Sequence, residues 1–152
     1  MTTLAAIIRR VESSDGTAVM RFEPACYQAV VNGHGDAYCL HPAIIVDRIM
    51  AANRCSLDTA HMIFATSWGD YQWMGFLLFS DEGGYTGSIA ELLGNPDTQD
   101  DLFARWCARH GFDPRGGLPD DAGCARFAQL YNGPGAVDSY VAAMKRAAAQ
   151  LA

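Results

Sequence analysis

The sequence predicts a mainly α fold: one compact domain over residues 1–152, built of about seven to nine helices. Two observations predict it. Apolar residues recur at i, i+3, i+4 and i+7 along almost the whole chain, the spacing of one buried helix face. Residues that start and stop helices bracket these runs, with Ser, Asp or Asn-Pro before them and Gly after. Strand signals are weak. They predict at most a short β segment near residues 17–22, where Ala18, Met20 and Phe22 alternate with Thr17, Val19 and Arg21.

Taken in order, Leu4, Ile7, Ile8 and Val11 predict a first helix capped by Thr2 or Thr3, running to Glu12 and broken by Ser13-Ser14-Asp15-Gly16. Pro24 opens a second, with Tyr27, Val30 and Val31 inward and Asn32-Gly33 as its stop. Pro42 starts a third, carrying Ile44, Ile45, Ile49 and Met50. Ser56 caps a short helix through Phe64. A turn at Ser67-Trp68-Gly69 precedes an apolar helix expected from Asp70 to Phe79. Ser88 and Glu91 form a capping box for a brief helix ending at Gly94. Asn95-Pro96 begins the next, with Leu102, Phe103, Trp106 and Cys107 inward and Gly111 as its stop. After a Pro/Gly loop over 113–119, Asp120 or Asp121 begins a helix ending at Tyr131-Asn132-Gly133. An Ala-rich helix from Val137 to Leu151 closes the chain.

Composition narrows the function. Half the residues are hydrophobic, so the chain can build a core. The net charge of −6 argues against a nucleic-acid partner, because phosphate binding needs clustered Lys and Arg, and only Lys145-Arg146 pairs them. No apolar run is long enough to span a bilayer, and Arg9, Arg10 and Glu12 interrupt the run Leu4 to Ile8, so neither membrane insertion nor a signal peptide is expected. The expectation is synthesis in the cytoplasm with no exit route of its own. Five cysteines without a CxxC pair read as reduced, mostly buried thiols, with one or two disulfides open if the protein ends up outside the cell. No Cys sits in a nucleophile motif beside His34, His41, His61 or His110. Cys39, His41, Cys55 and His61 match no standard zinc spacing, so neither metal nor cofactor is expected.

Three segments break the simple core pattern. Glu12 follows Val11 at the end of a hydrophobic helix, where the helix C-terminus and burial would both raise a carboxyl pKa. An acid catalyst needs that shift to hold its proton near neutral pH. The alternative is a surface Glu paired with Arg9. Ser67-Trp68-Gly69-Asp70-Tyr71-Gln72-Trp73-Met74-Gly75 sets aromatic rings and an amide between glycines. Rings suit sugar faces, the Gln72 amide donates and accepts, and glycine permits close approach. Core packing is the better reading for Trp73 and Met74; for Gln72 both readings stand. Gln129-Leu130-Tyr131-Asn132-Gly133-Pro134-Gly135 reads as a helix C-cap and turn, with Tyr131 as the functional hint.

In this order the segments resemble the lysozyme-like superfamily, which includes goose-type lysozymes and soluble lytic transglycosylases. Glu12-Ser13 stands for its E-S motif, Gly69 through Met74 for G-x-x-Q-x-M, and Tyr131 through Gly135 for Y-N-G-P-G. The chain is most similar to the N-acetylmuramidase domain of phage endolysins, on Val11-Glu12-Ser13, Phe22-Glu23, Ser67 through Phe76, and Phe127-Ala128 leading into Tyr131-Asn132-Gly133-Pro134-Gly135. The likeness runs from about residue 4 to 150. It implies a lysozyme-like fold and cleavage of the β-1,4 bond between N-acetylmuramic acid and N-acetylglucosamine in peptidoglycan strands, with Glu12 as general acid. Gln72 and Tyr131 would line the cleft, Asn132 would order the turn holding Tyr131, and Ser67, Trp68, Gly69 and Met74 would shape the substrate groove. Glu23 is either a second active-site carboxylate or a structural acid.

The family is usually apolar where this chain has Asp70, which is a helix N-cap or an extra carboxylate near the glycan. Inverting hydrolysis needs a water-holding carboxylate about 6.5–9.5 Å from the acid, and Glu23, Asp70 or Asp36 could serve. Without one, the substrate's 6-hydroxyl attacks and the anhydro sugar of a lytic transglycosylase results. A third reading is a phage virion component that binds peptidoglycan without cutting it. Phage origin, action in the periplasm or cell wall, and passage through a holin or delivery on the virion follow from the resemblance alone. The acidic charge means any groove works by shape and hydrogen bonds.

Overall fold

Helix α1 (Leu4–Ser13) packs against the last helix of the chain. Leu4, Ile7 and Ile8 are fully buried, as their i, i+3, i+4 spacing requires. Thr3 caps it, its hydroxyl accepting from the amide of Ala6. The Pro/Gly loop satisfies two more of the first-turn amides: Leu4 N–H donates to Gly116 O at 2.6 Å and Ala5 N–H to Pro114 O at 3.0 Å. At the other end Ser14 turns left-handed and stops the helix. The computed structural model describes residues 1–14 and 19–152, so Asp15-Gly16 and the Thr17-Ala18 part of the expected β segment lie outside the described residues.

The remaining helices are α2 (Pro24–Val31), α3 (Pro42–Asn53), α4 (Leu57–Phe64), α5 (Gly75–Leu78), α6 (Ile89–Leu93), α7 (Pro96–His110), α8 (Asp121–Asn132) and α9 (Val137–Leu151). The chain is mainly α, as its periodicity predicts. The local start signals act where expected: Ser56 accepts from Thr59 N–H, Ser88 and Glu91 form a reciprocal capping box, Asn95 accepts from Thr98 N–H, and Asp120 from Gly123 N–H. α8 and α9 pack against each other and α9 against α1, while α2, α3 and α5 gather on α4. Two buried faces differ from the expected ones. α2 buries Cys26 and Val30 and leaves Val31 43% exposed; α3 buries Ile45, Val46 and Ile49 and leaves Ile44 50% exposed. In short apolar helices several faces are hydrophobic, and the neighbour chooses which one is covered.

Between the helical groups lies a three-stranded antiparallel sheet in the order β1 (Met20–Phe22), β2 (Thr66–Trp68), β3 (Trp73–Met74). The register pairs Arg21 with Ser67 and Ser67 with Met74, so these three side chains form one cross-strand row on one face. The helix expected over Asp70–Phe79 is therefore not formed. Residues 66–74 make a hairpin, and only Gly75–Leu78 is helical. Its turn closes because Gly69 and Gln72 both adopt left-handed backbone conformations, φ +73° and +50°, with Gln72 N–H donating to Gly69 O. Asp70 consequently caps no helix.

Two glycines make room for close packing. A Cβ on Gly69 would lie 2.3 Å from Gln99 Oε1, and one on Gly75 would lie 1.8 Å from the carbonyl oxygen of Ile63 in α4. The approach that glycine permits at position 69 is thus made by Gln99, a buried side chain of α7 that accepts from Asp70 N–H at 2.6 Å and donates to Leu92 O at 3.1 Å. Gly75→Ala should push α5 off α4 and lower stability by about 3 kcal/mol; a denaturant midpoint equal to the wild type would refute that contact.

Candidate active site

Glu12 sits one residue before the end of α1, partly buried, where α1, α8 and α9 meet. Its Oε1 accepts a hydrogen bond from the hydroxyl of Tyr140, 128 residues away in α9. Burial pushes the Glu12 carboxyl above the ordinary carboxylate range. The Tyr140 hydrogen bond and the charge of Arg21 oppose that shift without cancelling it. Tyr140 is itself buried, which with the adjacent Glu12 charge holds its hydroxyl far above the usual tyrosine range, so it remains a donor. The alternative partner weighed for Glu12, Arg9, is turned elsewhere. Arg9 hydrogen-bonds Asp100 and Tyr71 Oη, and its Nε lies 3.4 Å from Asp70 Oδ2.

Tyr131, in the last turn of α8, links this carboxyl to the hairpin. Its hydroxyl donates to the carbonyl of Tyr71 at 2.6 Å, and its ionisation is opposed first by burial and then by the Glu12 charge. Its ring packs on Trp73, Trp106, Phe127 and Tyr140, with centroids 5.0 to 6.4 Å apart. Tyr71 in turn is fully buried, stacks on Phe103 and donates to Asp100 at 2.7 Å. Tyr131 thus ties α8 to the turn over 69–72, and Tyr140 ties α9 to the end of α1.

Gln72 lies in that turn beside the carbonyl that Tyr131 holds. Its Nε2 donates to Gly69 O at 2.9 Å, which fastens the side chain across its own turn. Ser67 is buried, and its hydroxyl bonds Met74 Sδ across the hairpin. Trp68 is partly buried and tied by its indole N–H to Ile63 O, while Trp73 belongs to the aromatic core. Asn132 is the last residue of α8 and is exposed.

Glu23 precedes α2 without capping it; instead Arg21 Nε donates to its Oε1 at 2.8 Å. Arg21 is the cation whose charge acts on Glu12, so Glu23 enters the same neighbourhood through Arg21. Asp70 is held by Arg9, and Asp36 stands exposed in the 3-10 turn Gly35–Ala37. Sequence reasoning missed Tyr140 and Arg21. Tyr140 is a lone aromatic in an Ala-rich helix with no local mark of its partner. For Arg21, the Arg-x-Glu spacing of a strand was the available signal.

The thiols offer no competing nucleophile. Burial pushes Cys26 and Cys107 up to about 12 and raises Cys39, Cys55 and Cys124, away from the reactive thiolate. Among the described residues no group of three or more His, Cys, Asp and Glu side chains is placed to hold a metal ion, and no helix is long and apolar enough to cross a membrane. No family profile and no solved structure matches the chain. One curated protein does: the endolysin of Enterobacteria phage PRD1 is 39% identical over 134 residues, covering 86% of each chain. At that identity and coverage, the chain belongs to the phage endolysin family.

Proposed function

We propose that this protein is a lysozyme-like muramidase that breaks peptidoglycan by hydrolysing the β-1,4 bond between N-acetylmuramic acid and N-acetylglucosamine. The observation that carries the proposal is the Glu12 carboxyl, withdrawn from water, raised in pKa and oriented by Tyr140 beside Tyr131 and the turn over 69–72. A group so placed keeps a proton at a pH where an exposed glutamate has lost it. Protonated Glu12 donates to the bridging oxygen as positive charge develops on the muramic ring. Glu23, held by Arg21, is the carboxylate we assign to the attacking water. Asp70 and Asp36 fit that role less well, one being engaged by Arg9 and the other exposed on a separate turn. Gln72, Ser67, Trp68, Gly69 and Met74 form or support the groove, and Asn132 ends the helix that presents Tyr131.

As an endolysin, the protein would meet its glycan in the cell wall, reached through a holin or carried on the virion. Mass spectrometry of digested muropeptides separates the chemistries. Reducing muramic ends support hydrolysis, anhydro-muramic ends identify a transglycosylase, and an undigested wall identifies a binding component.

Glu12→Gln should lower lysis of permeabilised cells by about 10³-fold while circular dichroism stays that of the wild type; full lysis by the folded variant would remove Glu12 from the chemistry. The same variant tests the burial cost. Because the folded carboxyl binds its proton more tightly than the unfolded one, Glu12 favours folding most below its unfolded pKa. That stability is lost as pH rises through the folded pKa. Glu12→Gln should therefore melt higher than the wild type at neutral pH, with the gap closing toward acid; a pH-independent gap would contradict the shift.

Tyr140→Phe tests the donor. Its hydroxyl stabilises the ionised carboxylate, so its loss should move the alkaline limb of the pH–rate profile upward. It should also cut turnover several-fold through lost orientation. An unmoved profile would leave Tyr140 as packing only.

A further inference from the structure

Arg21 is chemically odd for its position. It stands on a strand of an acidic protein, its side chain is 68% exposed, and strand pairing sets it opposite Ser67. Other cations near α1 are occupied: Arg9 binds Asp70 and Asp100, and Arg10 reaches Gln150. Arg21 is held differently. Glu23 takes only its Nε, at 2.8 Å, and among the described residues no other hydrogen bond or ion pair engages its guanidinium. A guanidinium bonded only at Nε leaves its Nη1–Nη2 edge open, and that edge matches the two oxygens of a carboxylate. The strand register sets Arg21 in the row with Ser67 and Met74, on one face of the sheet. The bond to Glu23 lowers the side-chain entropy that remains to be lost when an anion docks.

We propose that Arg21 is a specificity residue that binds a carboxylate carried by the substituent of the muramic ring, and so selects acidic glycan over neutral glycan. The proposal rests on the glycan-cleaving reading above. The carboxylate has two sources. In peptide-stripped strands it is the free lactyl group. In intact strands the lactyl group is amide-linked, and the carboxylates belong to the stem peptide. The cation also answers a difficulty set by the overall charge: a protein of net charge −6 repels an acidic polymer unless a local positive group receives it at the site.

The test measures kcat/KM on three substrates: intact strands, peptide-stripped strands, and strands whose carboxylates have been converted to neutral amides. The enzymes are wild type, Arg21→Gln and Arg21→Lys. The wild type should prefer an acidic substrate over the amidated one by about five- to tenfold. The difference should lie in KM and shrink as salt is added. Preference for stripped strands identifies the lactyl carboxylate; preference for intact strands identifies the peptide. Arg21→Gln should cleave acidic and amidated strands equally, and Arg21→Lys should retain part of the preference. Melting temperatures establish that each variant is folded. A wild type without preference, or an Arg21→Gln enzyme that keeps it, overturns the proposal while leaving the muramidase reading intact. A wild type that cleaves none of the strands overturns both.

Discussion

A carboxyl group taken out of water at the junction of three helices is the constraint around which this molecule is arranged. Desolvating Glu12 works against folding, since the charged form is the one destabilised by burial. The surroundings soften that cost with one neutral donor, Tyr140, and one cation at the rim, Arg21. Neither is strong enough to restore an ordinary carboxylate. The balance leaves a group that gives up its proton late, which is the property an acid catalyst requires.

Keeping that carboxyl in place depends on contacts made far from it. The first turn of α1 is anchored by the loop over 113–119, so the helix cannot slide along its axis. The hairpin is fastened from both sides. Gln99 fills the space beside Gly69 and holds Asp70 N–H, while Tyr131 holds the carbonyl of Tyr71. Arg9 adds a link between α1 itself and the turn, through Asp70, Asp100 and Tyr71. Partly exposed ion pairs of this kind add little stability individually. Their value lies in fixing the distance between the helix that carries Glu12 and the turn that carries Gln72.

The two arginines nearest this region divide into separate roles. Arg9 is surrounded by acceptors and works as a brace. Arg21 is bonded to Glu23 at Nε, with its Nη edge open among the described residues. Glu23 is the residue that holds it, through the single contact at Nε.

Helices and their ends were legible because their causes are local. Thr3, Ser56, Ser88 with Glu91, Asn95 and Asp120 each satisfy amides within the next turn, so a few consecutive residues suffice to reveal them. Glu12 was legible as an anomaly, a carboxylate ending an apolar helix, and Tyr131 as part of an ordered set of motifs. The hairpin was not legible. Residues 70–79 are apolar enough for a helix, and what prevents one is a left-handed Gln72 bonded to Gly69 together with the pairing of Trp73 and Met74 to β2, itself held by a strand more than forty residues earlier. The sequence by itself determined a mainly α chain, its caps and the placing of a carboxylate, Glu12, at the end of an apolar helix. Tertiary structure alone decided the partners of that acid, because Tyr140 and Arg21 reach it across the fold, and no periodicity or spacing encodes a meeting between residues so far apart in the chain.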